Sequence, residues 1–127
     1  MDSRARAGHI VLIVEDNIDA RELFAYSLRA VGYQVVEAEN GRHALNVIRH
    51  QMPAAILTDL RMPEMNGMEL AKELQSLSQY AGIPRILLTA TPISDKWASL
   101  SIFSVVLNKP VSLDALVLAI DQVIGLV

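Results

Sequence analysis

The chain has 127 residues, 52% apolar and 20% charged, with a formal net charge of −3 and no cysteine. That length fits one compact domain, and the composition suits a packed core rather than a disordered chain. The slight acid excess lacks the basic footprint of a nucleic-acid binder, the missing thiols exclude disulfides and thiolate metal sites, and apolar runs such as Ile10 to Val14 fall far short of the roughly 20 residues a membrane helix needs.

Residues 1–8, MDSRARAG, carry no apolar signal segment. They are expected to form a flexible N-terminal tail with Arg4 and Arg6 in solvent, leaving residues 9–127 as the domain. A cytoplasmic location without membrane contact is the simplest expectation. HIVLIVE (9–15) is a short Val/Ile-rich run that predicts a strand covered on both faces. Ala20, Leu23, Phe24, Ser27, Leu28 and Val31 follow at helical spacing, with Asn17 or Asp16 able to cap the start and Gly32 the end. YQVVEA (33–38) predicts a second strand. The next helix runs through Ala44, Leu45, Ile48 and Met52 to its stop at Pro53. AAILTD (54–59) is the third strand, and Leu70, Ala71, Leu74 and Leu77 mark the third helix. PRILLTA (84–90) is the fourth strand, with proline at its tolerated first position. Ile93, Trp97 and Leu100 suggest a short helix before FSVVLNK (103–109), the fifth strand. Leu113, Leu116, Val117, Ile120, Val123 and Ile124 predict the last helix.

Short strands alternating with amphipathic helices imply an α/β domain, a parallel sheet with helices on both faces and right-handed crossovers. In such a sheet, ligands bind at the carboxyl ends of the strands. Glu15 and Asp16 follow strand one, Asp59 ends strand three, Thr89 ends strand four, and Lys109 with Pro110 follows strand five. Three carboxylates, a hydroxyl and an ammonium are therefore expected on one edge. Two unit charges about 4 Å apart repel by roughly 4 kcal/mol at an effective dielectric near 20. Lys109 alone leaves such a pocket negative. A hard divalent cation with oxygen ligands is the natural complement, with Asp16 and Asp59 as direct ligands and Glu15 acting through water. Taken singly, each residue has a plainer reading: a helix cap, a strand threonine, a surface lysine.

LIVEDN, LTDLRMPEMNGMEL, ILLTA and LNKP, in this order and spacing, resemble the receiver domain of two-component response regulators (CheY-like), from Ile10 to about Ile124. The resemblance implies a flavodoxin-like (βα)5 fold of strand order 2-1-3-4-5. It implies phosphoryl transfer to Asp59, giving a 4-aspartylphosphate. Asp16 matches a direct ligand of Mg2+ (or Mn2+), Glu15 the adjacent acid, and the backbone carbonyl of Arg61 a further ligand. Thr89 matches the hydroxyl that turns toward the phosphoryl group, Lys109 the lysine that pairs with its oxygens, and Pro110 the proline after a cis peptide bond. The implied partners are a histidine kinase or histidine phosphotransfer protein and a downstream protein effector. The implied chemistry is limited to the domain's own phosphorylation and dephosphorylation.

Such domains usually carry an aromatic residue three positions before the lysine. Here that position is Val106. Phe103, by strand alternation, is expected to face the other way. This departure motivates an alternative, a degenerate receiver acting as a phosphorylation-independent interaction module. An aspartate-nucleophile phosphatase lacks support, because Asp59-Leu60-Arg61 offers no second acid two residues on. The side chains of Arg61 and Thr91 would border the site. Ala115, Leu118, Ala119 and Leu126 lie off the core stripe of the last helix and could form an apolar patch for a partner or for a homodimer with a second copy of the chain.

Overall fold

The computed structural model describes residues 3–90 and 102–127. The predicted helix through Ile93, Trp97 and Leu100, and Thr91, lie outside the described residues. One turn of helix, α1 (Ser3–Arg6), precedes β1 (Ile10–Val14), α2 (Ile18–Ala30), β2 (Gln34–Ala38), α3 (Gly41–His50), β3 (Ala55–Asp59), α4 (Gly67–Ser76), β4 (Arg85–Thr89), β5 (Val105–Asn108) and α5 (Leu113–Ile124). The strands form one parallel sheet of order β2-β1-β3-β4-β5, the flavodoxin-like topology.

The central strands β1, β3 and β4 are buried almost throughout, whereas edge strands β2 and β5 are half-covered. Continuous apolar runs arise where both sheet faces are covered. Alternate residues serve opposite faces. Val11 and Ile13 pack with Ala25, Leu28, Leu116 and Ile120, while Leu12 and Val14 pack with Ala44, Ile48, Leu70 and Leu74. A third cluster joins Leu60, Met68, Ala71, Leu87, Ile102 and Phe103.

Side-chain caps set the helix starts. Asn17, Asn40 and Ser112 each accept a backbone N–H three residues on. Asn66 and Glu69 form a reciprocal capping box at the start of α4. Gly125 closes α5 in the left-handed conformation that favours glycine.

Several expectations are corrected. Leu23 is 63% exposed, and Ala25 instead joins Leu28 in the buried cluster on the sheet. Met52 lies beyond α3 and is exposed; Leu113 is exposed too, while Ala119 is buried and Leu126 packs against the core. β5 begins only at Val105, so strand alternation does not govern Phe103, which packs in the same cluster as Val106.

Arg6 is the largest departure. It is 8% exposed rather than solvated. Its Nε and NH2 donate to both carboxylate oxygens of Asp121 on α5 at 3.0 and 2.9 Å, and NH1 donates to the Val31 carbonyl at 3.0 Å. The Tyr33 hydroxyl also donates to Asp121. Gly32, at φ +113°, lets α1 approach, because a Cβ there would stand 2.5 Å from the Ser3 carbonyl oxygen. The bidentate partner explains the burial: a guanidinium leaves water when a carboxylate and a carbonyl take its donors.

Candidate phosphoryl-acceptor and metal site

Strand register brings the predicted residues to one edge. Val14 pairs with Thr58, Asp59 with Leu88, and Thr89 with Asn108. Glu15, Asp59, Thr89 and Lys109 therefore leave neighbouring strands at one level. Carboxylate oxygens of Glu15, Asp16 and Asp59 all lie within 4.8 Å of one another. Lys109 Nζ stands 3.3 Å from Glu15 Oε1 and 3.5 Å from Asp59 Oδ2. Thr89 is buried at the end of β4, and its carbonyl accepts the Lys109 N–H at 2.9 Å. The Lys109–Pro110 peptide bond is cis, as the resemblance implies. Arg61 follows in the loop between β3 and α4, with its side chain exposed.

Each acid is held differently. Glu15 is 3% exposed. Its Oε2 accepts the Asn17 N–H at 3.2 Å, and its backbone N–H donates to the Ala38 carbonyl at 3.0 Å. Burial pushes its carboxyl above the ordinary carboxylate range; Asp16 and Asp59 push the same way, while Asn17 and Lys109 oppose them. Asp59 Oδ1 accepts the Leu60 N–H at 2.8 Å. The other oxygen, Oδ2, faces Lys109. Asp16 is exposed at the mouth.

The charges do not balance. Among the described residues three carboxylates face one ammonium, and pairs within 4.8 Å repel by roughly 3–4 kcal/mol when fully charged at an effective dielectric near 20. An all-oxygen donor set, two buried or half-buried members and one open to water suit Mg2+, which takes few carboxylates and keeps several waters. The residues present therefore fit the metal that their pattern predicts.

Some contributors were not singled out from sequence. The Gly67 N–H donates to the Leu60 carbonyl at 2.8 Å, and a Cβ at Gly67 would collide with the Asp59 carbonyl oxygen. Only glycine lets α4 start this close to the acceptor strand. The Asn66-Gly67 pair carries a turn signal, which marks the break but not the close approach. Arg21 reaches back from α2 to the Glu15 carbonyl at 2.7 Å; no sequence signal separates it from a surface arginine.

The family model described as "Response regulator receiver domain" matches residues 11–121. The chain is 40% identical over 115 residues to the transcriptional regulatory protein GlrR of Escherichia coli (strain K12), a match covering 88% of this chain and 25% of that protein. It thus spans about a quarter of the length of curated relatives such as GlrR and QseF. Among solved structures, the receiver domain of a signal transduction histidine kinase from Syntrophus aciditrophicus superposes with a TM-score of 0.85 at 30% identity, covering 94% of this chain and 92% of that one. The receiver domain of sensor histidine kinase PA1611 from Pseudomonas aeruginosa PAO1, with magnesium coordinated in its active-site cleft, gives a TM-score of 0.84 at 30% identity, covering 94% and 99%. With the sheet order, the acid cluster and the lysine already in place, these likenesses put the chain in the response regulator receiver domain family.

Proposed function

We propose that Asp59 accepts a phosphoryl group from a phosphohistidine on a histidine kinase or histidine phosphotransfer protein, and that the resulting charge changes which proteins the domain binds. An Asp59 carboxylate oxygen attacks phosphorus, the P–N bond breaks, and its electron pair stays on the donor imidazole. Such a transfer depends on position and charge neutralisation more than on covalent assistance. Asp16, Asp59 and the Arg61 carbonyl would hold Mg2+, with Glu15 behind them through water. When bound, Mg2+ supplies neutralisation between the anionic donor and the acceptor carboxylate. Lys109 pairs with a phosphoryl oxygen, and the Thr89 hydroxyl donates to another. Residues 9–127 form the proposed receiver unit, with α1 (Ser3–Arg6) held against it through Arg6.

The observation that carries this reading is the convergence of Glu15, Asp16 and Asp59 within 4.8 Å, with Lys109 3.5 Å from the acceptor. The magnesium held by the PA1611 receiver supports the choice of ion. The filled site weighs against a degenerate interaction module. As a receiver, the domain turns over only its own aspartyl phosphate. No described helix is long and apolar enough to cross a membrane, and the proposed site of the reaction is the cytoplasm. Output runs through a protein effector or a second copy, for which exposed Leu113 and Leu118 on α5 offer apolar contact area.

Intact mass after incubation with Mg2+ and a small phosphodonor tests the acceptor. Wild type is expected to gain one phosphoryl group and Asp59→Asn none. An unmodified wild type, or an equal gain in both, overturns the assignment.

A further inference from the structure

We infer that Arg21 is a positioning residue for the metal site: it fixes the peptide that carries Glu15 and Asp16, and so sets the affinity for Mg2+. The inference rests on the reading of the acid cluster as that site.

Arg21 lies one helical turn inside α2, and its side chain is 15% exposed. Its NH1 donates to the Glu15 carbonyl at 2.7 Å. Its Nε pairs at 3.4 Å with Glu37, which stands opposite Ile13 on β2. One planar fork thus ties the chain leaving β1 to the neighbouring strand. Glu37 is also held by Arg29 at 3.5 Å, and Arg29 in turn donates to the Val35 carbonyl at 3.0 Å. The anchor is therefore itself anchored.

The consequence for Glu15 is full restraint. Its N–H is held by Ala38, its carbonyl by Arg21, one carboxylate oxygen by Asn17 and the other by Lys109. Among the described residues, the Arg21 bond is what holds the carbonyl side of the peptide joining Glu15 to Asp16. Rotation of that peptide would swing the Asp16 carboxylate away from Asp59. Outer groups that orient ligands in this way typically account for about 10–100-fold in metal affinity. Lysine would keep the charge but lose the fork that reaches the carbonyl and Glu37 together.

The test is calorimetric titration of the full chain with MgCl2, alongside phosphorylation by a small phosphodonor. Wild type is expected to bind and Asp16→Asn to lose binding. Arg21→Met is expected to bind about 10-fold more weakly, with Arg21→Lys in between. The phosphorylation rate at saturating Mg2+ is expected to stay near wild type, while the half-saturating Mg2+ concentration rises by the same factor. Glu15 and Asp16 amide resonances should shift in metal-free Arg21→Met. Equal Mg2+ affinity in wild type and Arg21→Met overturns the inference. Absence of binding by wild type instead overturns the metal reading, and the inference falls with it. Should Arg21→Met fail to fold, Glu37→Gln decides. Losing its half-exposed pair is expected to weaken Mg2+ binding about 2–5-fold, and no change refutes the role.

Discussion

Arg6→Met is expected to destabilise the domain strongly at neutral pH although Arg6 lies far from the phosphoryl site. Arg6 and Asp121 are 9% and 4% exposed at their side chains. Among the described residues, the substitution leaves the buried carboxylate the Tyr33 hydroxyl as its hydrogen-bond donor and takes the Arg6 donor from the Val31 carbonyl. Removing one partner of a buried pair costs roughly 3–5 kcal/mol. For a domain of this size that corresponds to a melting temperature lower by roughly 10–20 °C. The pH dependence follows from Asp121. Burial alone would raise its pKa, but hydrogen bonds from Arg6 and Tyr33 outweigh burial and hold it below the ordinary 3.8. A depressed carboxyl contributes stability above its unfolded pKa and loses it as pH falls through the folded value. In Arg6→Met the carboxyl stays buried without the guanidinium that bridges it, so its folded pKa rises. Its contribution is then full below the unfolded value and lost as pH increases. The gap between wild type and variant should be widest near pH 7 and shrink toward pH 4. Urea unfolding followed by circular dichroism at several pH values measures it. Arg6→Met/Asp121→Asn is expected to recover most of the loss. A variant within 1 kcal/mol of wild type at pH 7, or a gap independent of pH, refutes the reasoning.

Mg2+ is expected to raise the melting temperature, since a ligand at about 100 times its dissociation constant stabilises by roughly 2.7 kcal/mol; EDTA should reverse the shift and Asp16→Asn abolish it. Gly67→Ala forces a Cβ onto the Asp59 carbonyl, a clash expected to cost roughly 1–3 kcal/mol and to slow phosphorylation, read by thermal melts and intact mass. Arg85→Met removes donors from the carbonyls of Ala81, Ile83 and Ile102. With each buried orphan worth about 1–3 kcal/mol, denaturant unfolding should show a loss of several kcal/mol without a change in Mg2+ affinity.

The phosphoryl site was readable because a parallel sheet collects whatever follows each strand. Apolar runs ending at Val14, Asp59, Thr89 and Asn108 locate that edge without any knowledge of contacts. Arg6 was not readable. Its partner Asp121 is 115 residues away, and a basic residue in a short polar segment has the same letters whether docked or solvated. Leu23 failed for another reason. Spacings of three and four define a helix face only loosely, so they do not separate exposed Leu23 from buried Ala25 two positions on. Phe103 failed because alternation holds only inside a strand, and the strand starts two residues later.

Three arginines share a role that composition alone hides. Arg6 ties the Val31 carbonyl to Asp121, Arg21 ties the Glu15 carbonyl to Glu37, and Arg85 ties three carbonyls to Gln75. In each case a planar fork fixes irregular backbone against a side chain from another element. Guanidinium suits that task because its donors diverge in a fixed plane and its charge does not titrate. Lys109 differs in kind. It is a single ammonium on a flexible stem, 28% exposed, shared between Glu15 and Asp59 at 3.3 and 3.5 Å. A point charge on a mobile arm can follow an added phosphoryl oxygen, where a fork would hold to the carboxylates it already bridges. Arginine therefore sits where this fold must stay still, and lysine where the proposed chemistry requires a charge to move.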